Sequence, residues 1–450
     1  MLPRFGRQEN SPSLQDYFLI PLSMVILWLT STVISRLLLV LMLFPLYLSV
    51  KLIPLLPKLV TKSPLLLLLR GRRALINSSD EYRKREERCA LDQLLGNFQF
   101  ESRDLLTTYE AQEAVQRMKW KPPRESCNVN GAKAVIVHQK PEEGHFSSGQ
   151  KILLLHGNPS WSFMWRNIID KLVDNGYEVF AIDWIGHGAS DKPKKAELIT
   201  FELHMRTLIA CIAHFQLKGF YIAAHDWGGC VALCTLPTLP EGTCSGIFLL
   251  STFFPPRPSD VRPYYFLLYM VWFFITGILD GYIPESFVMR YMCPKATSEV
   301  VSGYGLPYAA GAKSKASVGR FAHIVPGMPR ALMEWRGSHY WRLLEGLLGP
   351  ENFTNFNAQA KLTERDESAR KWWAGEDTIP CERLPKVAIV FGEDDPLLRD
   401  LKKVLDRTIA KETRSFPSSS TTSIHGAGHY PVEDDPDTVS DYIIRFVQLA

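Results

Sequence analysis

Short apolar runs recur from about residue 132 onward. AVIVH, KILLLHG, VFAIDW, FYIAAHD and GIFLLST follow one another up to Thr252, and helically patterned stretches separate most of them. The runs are rich in β-formers and apolar at successive positions. Strands of that kind are covered on both faces, so alternation with helices predicts an α/β fold with a mostly parallel sheet. The alternation stops after Thr252. Residues 253–383 are rich in aromatics and proline and carry helical runs such as YYFLLYMVWFFITGIL, until VAIVFG at 387–392 resumes the sheet pattern. An insertion of that size between two strands reads as a helical cap. The predicted division is 131–252 for the first part of the core, 253–383 for the cap and 384–450 for the second part.

The N-terminus has a different pattern. After a tail at 1–16, Tyr17 to Ser35 carries no charge; Arg36 interrupts, and Leu37 to Val50 is uncharged again. A helix spans a bilayer with roughly 20 apolar residues, so 17–58 is predicted to be a membrane anchor. It is one span or a hairpin, with Pro45, Pro54 and Pro57 breaking or kinking its second half. Lys51, Lys58, Lys62, Arg70, Arg72 and Arg73 follow the uncharged stretches, and only Arg4 and Arg7 precede them. The excess of basic residues after the apolar region puts the remainder of the chain in the cytosol. The sequons at Asn77 and Asn352 would be glycosylated only if that orientation were reversed. Residues 59–130, with EYRKREER at 81–88, read as a solvated helical linker.

Hydrophobic residues make up 46% of the 450-residue chain, enough for a large core. A net charge of +4 is too mild and too scattered to indicate nucleic acid as a partner. The 8 cysteines form no CxxC pair and no metal-ligand spacing, and read as reduced core thiols. No metal or cofactor is expected.

In a parallel sheet, ligands bind beyond the carboxyl ends of the strands. His156-Gly157-Asn158-Pro159, His225-Asp226-Trp227-Gly228-Gly229, Gly392-Glu393-Asp394-Asp395-Pro396 and His425-Gly426-Ala427-Gly428-His429 occupy such positions. Asp226 lies between small residues, Ala224 before it and Gly228 and Gly229 after, as a sharp strand-to-helix turn requires. A carboxylate there attacks an sp3 carbon without needing a base, leaving an alkyl ester for water to hydrolyse. The competing role for Asp226 is a helix cap. His429, in a Gly-Ala-Gly loop, is the candidate base for that water. Asp395 is the candidate partner that orients His429, favoured over Asp394 by the Gly392-x-x-Asp395 spacing. The N–H groups of Trp227 and Asn158 are expected to face the tetrahedral intermediate. His156, His187 and His225 read as hydrogen-bonding supports of the fold.

From Lys151 to the end, HGNPSWSFMWRNII, DWIGHGASDKP, HDWGG and AGHYPVEDDP together resemble the α/β-hydrolase superfamily, in the aspartate-nucleophile branch that holds haloalkane dehalogenases and epoxide hydrolases. The resemblance implies an α/β-hydrolase fold with its cap inserted after the sixth strand. Asn in HGNP and Trp after the acid resemble haloalkane dehalogenases, whose departing halide is held by a side-chain amide and an indole N–H. Epoxide hydrolases generally carry another residue in place of Asn158. Their oxirane is protonated, usually by two cap tyrosines, for which Tyr264, Tyr265, Tyr269, Tyr282, Tyr291, Tyr304 and Tyr308 are candidates. The last apolar run before the cap, which the resemblance makes the sixth strand, ends Leu250-Ser251-Thr252-Phe253-Phe254 without an acid, which fits the subgroup with Asp after the seventh strand. The expected function is a haloalkane dehalogenase-like hydrolase acting on a small lipophilic substrate. Phe253, Phe254, Trp272 and Phe273 are candidate pocket residues. The alternatives are an epoxide hydrolase, a β-lactone decarboxylase-like enzyme and an inactive membrane-tethered scaffold.

Overall fold

A computed structural model describes residues 99–106, 120–257, 260, 269, 272, 273, 276, 285–308, 311–325, 357–376, 380–415 and 422–450. The anchor expected over 17–58 lies outside the described residues. Among those described, no helix is long and apolar enough to cross a membrane.

The main sheet has eight strands: β1 (Arg124–Val129), β2 (Ala132–Gln139), β3 (Lys151–Leu155), β4 (Glu178–Asp183), β5 (Phe220–Asp226), β6 (Cys244–Thr252), β7 (Lys386–Gly392) and β8 (Thr422–Ile424). They lie in the order β8-β7-β6-β5-β3-β4-β2-β1. The six strands from β8 to β4 are mutually parallel, β2 runs antiparallel to β4, and β1 is antiparallel to β2. The order reverses at β3, between β4 and β5, which opens a crevice at the carboxyl ends of those strands.

The unbroken apolar runs now have a physical account. Leu153 and Leu155 of β3, Ile222 and Ala224 of β5, and Ile247 and Leu249 of β6 enter the core on one face. Ile152 and Leu154, Tyr221 and Ala223, and Phe248 and Leu250 enter the core on the other. Side chains alternate across a strand, so covering both faces demands apolar residues at every position. The first face is covered by α2 (Phe201–His214), α3 (Trp227–Thr235) and α7 (Asn357–Ala374), the second by α1 (Arg166–Asp174) and α10 (Pro436–Leu449). Each large apolar side chain so enclosed contributes roughly 1.5–3 kcal/mol relative to exposure.

Between β6 and β7 the described elements are all helical: α4 (Glu285–Met292), α5 (Ser298–Gly305), α6 (Ala316–Arg320), α7 and short 3-10 turns. After β7 come α8 (Lys402–Thr408) and α9 (Pro431–Asp434).

Two boundaries drawn from the sequence are corrected. The core begins before 131: Phe100 and Leu105 are buried in it, and the main sheet starts at Arg124, because β1 is a sheet strand within the stretch assigned to the linker 59–130. RESCNV buries only Cys127 and Val129, so this edge strand shows no apolar run. At the other end, α7 lies inside 253–383 but packs on the core. Ala369 and Trp373 are buried there, and the Trp373 indole donates to the Leu233 carbonyl of α3 at 2.8 Å.

Candidate active site

Strand β5 ends at Asp226 with φ 50° and ψ −121°, a conformation that costs a side chain-bearing residue on the order of 1–3 kcal/mol. The surroundings hold it there. Thr252 donates its hydroxyl to the Asp226 carbonyl at 2.5 Å. A Cβ on Gly228 would lie 2.5 Å from the Leu155 carbonyl oxygen, and one on Gly229 would lie 2.2 Å from Thr252 Oγ1, so the following helix packs this close only with glycine at both positions.

The Asp226 carboxylate makes no capping bond to α3. Instead Oδ1 accepts the Asn158 backbone N–H at 2.9 Å. Burial pushes the Asp226 pKa up, while His429 and the N–H groups of Asn158 and Trp227 oppose that shift by favouring the charged form. Of the two backbone donors expected at this turn, the Asn158 N–H is hydrogen-bonded to this carboxylate.

His429 stands opposite. Its Nδ1 is 3.0 Å from Asp395 Oδ2, and its Nε2 is 3.8 Å from Asp226 Oδ2 with no hydrogen-bond partner among the described residues. Asp395 Oδ1 accepts the N–H groups of Leu397 and Leu398 at 2.8 and 3.0 Å. With one oxygen so occupied, Asp395 is oriented to receive a proton-bearing Nδ1, which leaves Nε2 as the basic nitrogen facing Asp226. Burial by itself lowers the His429 pKa, but Asp395 and Asp226 outweigh it and the net shift is upward. Asp394 instead gives its backbone N–H to the Ala427 carbonyl.

Of the four candidate pocket aromatics, Phe253 reaches this centre, edge-on to the Trp227 ring at 5.3 Å between centroids. Phe254 is fully buried beneath the Arg370 guanidinium, which lies 4.9 Å from its ring. Trp272 packs on Tyr308 and Val318, and Phe273 lies 4.1 Å from the His323 ring. Phe321 was not singled out from the sequence, yet its ring lies 4.6 Å from that of Trp227. It sits in a 3-10 turn whose pattern carries no mark of a pocket. His225 acts as a support, donating its Nε2–H to the His429 carbonyl at 2.7 Å. Among the described residues, no three His, Cys, Asp or Glu side chains are grouped to hold a metal ion.

The sequence family described as alpha/beta hydrolase fold matches residues 151–282, the stretch that holds β3 to β6 and Asp226. Over that stretch the chain is similar to the alpha/beta hydrolase family, and it is a hydrolase of the α/β-hydrolase fold. Its homologues include haloalkane dehalogenases. One, from Mycolicibacterium paratuberculosis, is 28% identical over 199 residues, which is 43% of this chain and 64% of that relative's length. An AB hydrolase superfamily protein of Bacillus subtilis is 24% identical over 71% of this α/β-hydrolase and 96% of itself. Among solved structures, a tetrameric haloalkane dehalogenase from Paraglaciecola agarilytica superposes with a TM-score of 0.57 at 19% identity, covering 75% of this chain and 96% of that one. At that identity the superposition speaks for the fold alone.

Proposed function

We propose that this α/β-hydrolase is a haloalkane dehalogenase-like enzyme that forms a covalent alkyl ester on Asp226. Asp226 attacks the carbon that bears the halogen, and the halide departs with the bonding pair. Asn158 and Trp227 hold the departing anion. His429, oriented by Asp395, takes a proton from water, and the resulting hydroxide attacks the ester carbonyl. The alcohol leaves, and the Asp226 carboxylate is restored. Phe253 and Phe321 contribute apolar walls, which suits a lipophilic substrate. The apolar region 17–58 is proposed to tether the enzyme to a membrane with its catalytic part in the cytosol.

The observation that carries this reading is that residue 158, whose backbone N–H donates to Asp226 Oδ1 at 2.9 Å, is an asparagine, and that its side-chain amide accompanies an indole that makes no hydrogen bond to a described residue. The described tyrosines weigh against epoxide opening; Tyr264, Tyr265 and Tyr282 lie outside the described residues. Tyr269 gives its hydroxyl to the Ala322 carbonyl at 2.9 Å, Tyr304 to Glu433 at 2.6 Å and Tyr308 to the Pro159 carbonyl at 3.3 Å, while Tyr291 is exposed. An oxirane oxygen needs a free acidic donor, and these are already engaged.

The test offers the full-length protein a 1-bromoalkane and a matched terminal epoxide in separate assays. Bromide release with little diol formation is expected. Diol without bromide would reverse the assignment and make the remaining tyrosines the next targets.

A pH dependence follows from His429. Only the neutral imidazole accepts a proton, and its pKa is raised above 6.5. In the ester the Asp226 charge is gone and Asp395 is the raising influence that remains, so the rate of ester hydrolysis is expected to fall about tenfold per pH unit on the acid side of the His429 midpoint. Asp395→Asn removes the largest raising influence, so the midpoint should move down as the rate drops. A pH–rate profile of single-turnover hydrolysis checks both; a midpoint that ignores Asp395→Asn would remove His429 from this role.

A further inference from the structure

We infer that His187 is a positioning residue that aims the Asn158 side-chain amide at the departing anion, acting together with α6. This rests on the dehalogenation reading above. His187 belongs to the loop after β4, and α6 belongs to the helical segment between β6 and β7. Both reach the same amide.

The atoms leave one consistent assignment. The Val318 backbone carbonyl lies 3.1 Å from Asn158 Nδ2, and a carbonyl only accepts, so the amide nitrogen faces it. Asn158 Oδ1 then faces His187 Nε2 at 3.1 Å, and that nitrogen must carry the proton. Burial, chiefly, keeps His187 neutral. A neutral ring has one N–H, so Nδ1 is an acceptor and takes the Ser317 hydroxyl at 3.2 Å. Ser317 thus holds the tautomer, the tautomer holds Oδ1, and the second amide N–H of Asn158 has no partner among the described residues.

Ser317 and Val318 are neighbours on α6, so both contacts depend on how this short helix seats. The seat is tight. A Cβ on Gly186, which has φ +94°, would lie 2.4 Å from Ser317 Cβ. The His187 ring is further held edge-on by Phe321 at 5.1 Å. A reversed amide would present Oδ1 to the halide in place of an N–H, replacing an attraction with a repulsion. The direction of this one group therefore matters more than its presence.

The test uses the full chain carrying His187→Phe, His187→Gln or Ser317→Ala. Bromide and chloride affinities are measured by titration calorimetry. Release rates are compared for matched 1-bromo- and 1-chloroalkanes. A glutamine amide replaces the Nε2–H donor; phenylalanine fills the space without it. His187→Phe is expected to weaken bromide binding by about 5–10-fold, the scale of one lost neutral hydrogen bond. It should also widen the bromide-over-chloride rate ratio by a similar factor, since chloride is the poorer leaving group and relies more on its donors. His187→Gln should restore most of both, and Ser317→Ala should fall between.

Unchanged halide affinity and rate ratio in His187→Phe would overturn the inference. So would losses that track thermal stability and are not recovered by glutamine. His187-dependent bromide binding in a chain that releases no halide would leave the positioning role standing and remove the proposed reaction. Halide release with His187-independent binding would do the reverse, and a chain that binds no bromide would sink both.

Discussion

Asp226→Ala is expected to abolish halide release, with a loss of at least about 10⁴-fold, the scale on which removal of a nucleophile acts. The reason is geometric. The Asp226 carboxylate stands at the end of β5 under the Asn158 backbone N–H, and no other described carboxylate has its oxygen within reach of His429 Nε2. The variant also removes an ionised group that burial disfavours, so the folded state has little to lose. Thermal melting measured alongside turnover separates the two effects. A melting temperature within a few degrees of the parent, with turnover gone, is the expected pair. Retained turnover in the alanine variant would mean that the carbon is attacked by water or by another group.

His429→Phe is expected to stop the reaction half-way. The first step asks nothing of His429, because the carboxylate needs no base. The second step needs a base at Nε2, 3.8 Å from Asp226 Oδ2. The variant should therefore release close to one halide per chain and then stall. Intact mass should rise by the mass of the alkyl group, and the increase should disappear when Asp226→Ala is added. Steady halide release without any adduct would show that hydrolysis proceeds without this histidine. An adduct that persists in the double variant would place the ester on a different side chain.

The parallel sheet was legible because it is buried on both faces. Ile152 to Leu155 and Ile247 to Leu250 alternate between two hydrophobic cores, so each strand announces itself as an unbroken apolar run. Strand β1 was not legible for the opposite reason. It buries two of six residues at the sheet edge, and RESCNV looks like linker. Helix α7 was grouped with the cap because chain order does not tell which surface a helix covers. Its Trp373 and Ala369 meet α3 on the core instead.

The same division runs through the site. Asp226, Asp395 and His429 could be named in advance because each follows a recognisable strand or lies in a glycine loop, and backbone turns demand particular small residues locally. Whether they meet is a question of distance between segments far apart in the chain, and only the tertiary structure answers it, with 3.0 Å from His429 to Asp395 and 3.8 Å to Asp226. Asn158 was chosen for its chemistry, but its direction depends on His187, Ser317 and the Val318 carbonyl. The sequence alone determined which groups have the chemistry to react and which strand ends present them. The tertiary structure alone decided their orientation, because a hydrogen bond is directional and the Val318 carbonyl that holds Asn158 is a backbone group, identical in every residue and silent in any side-chain pattern.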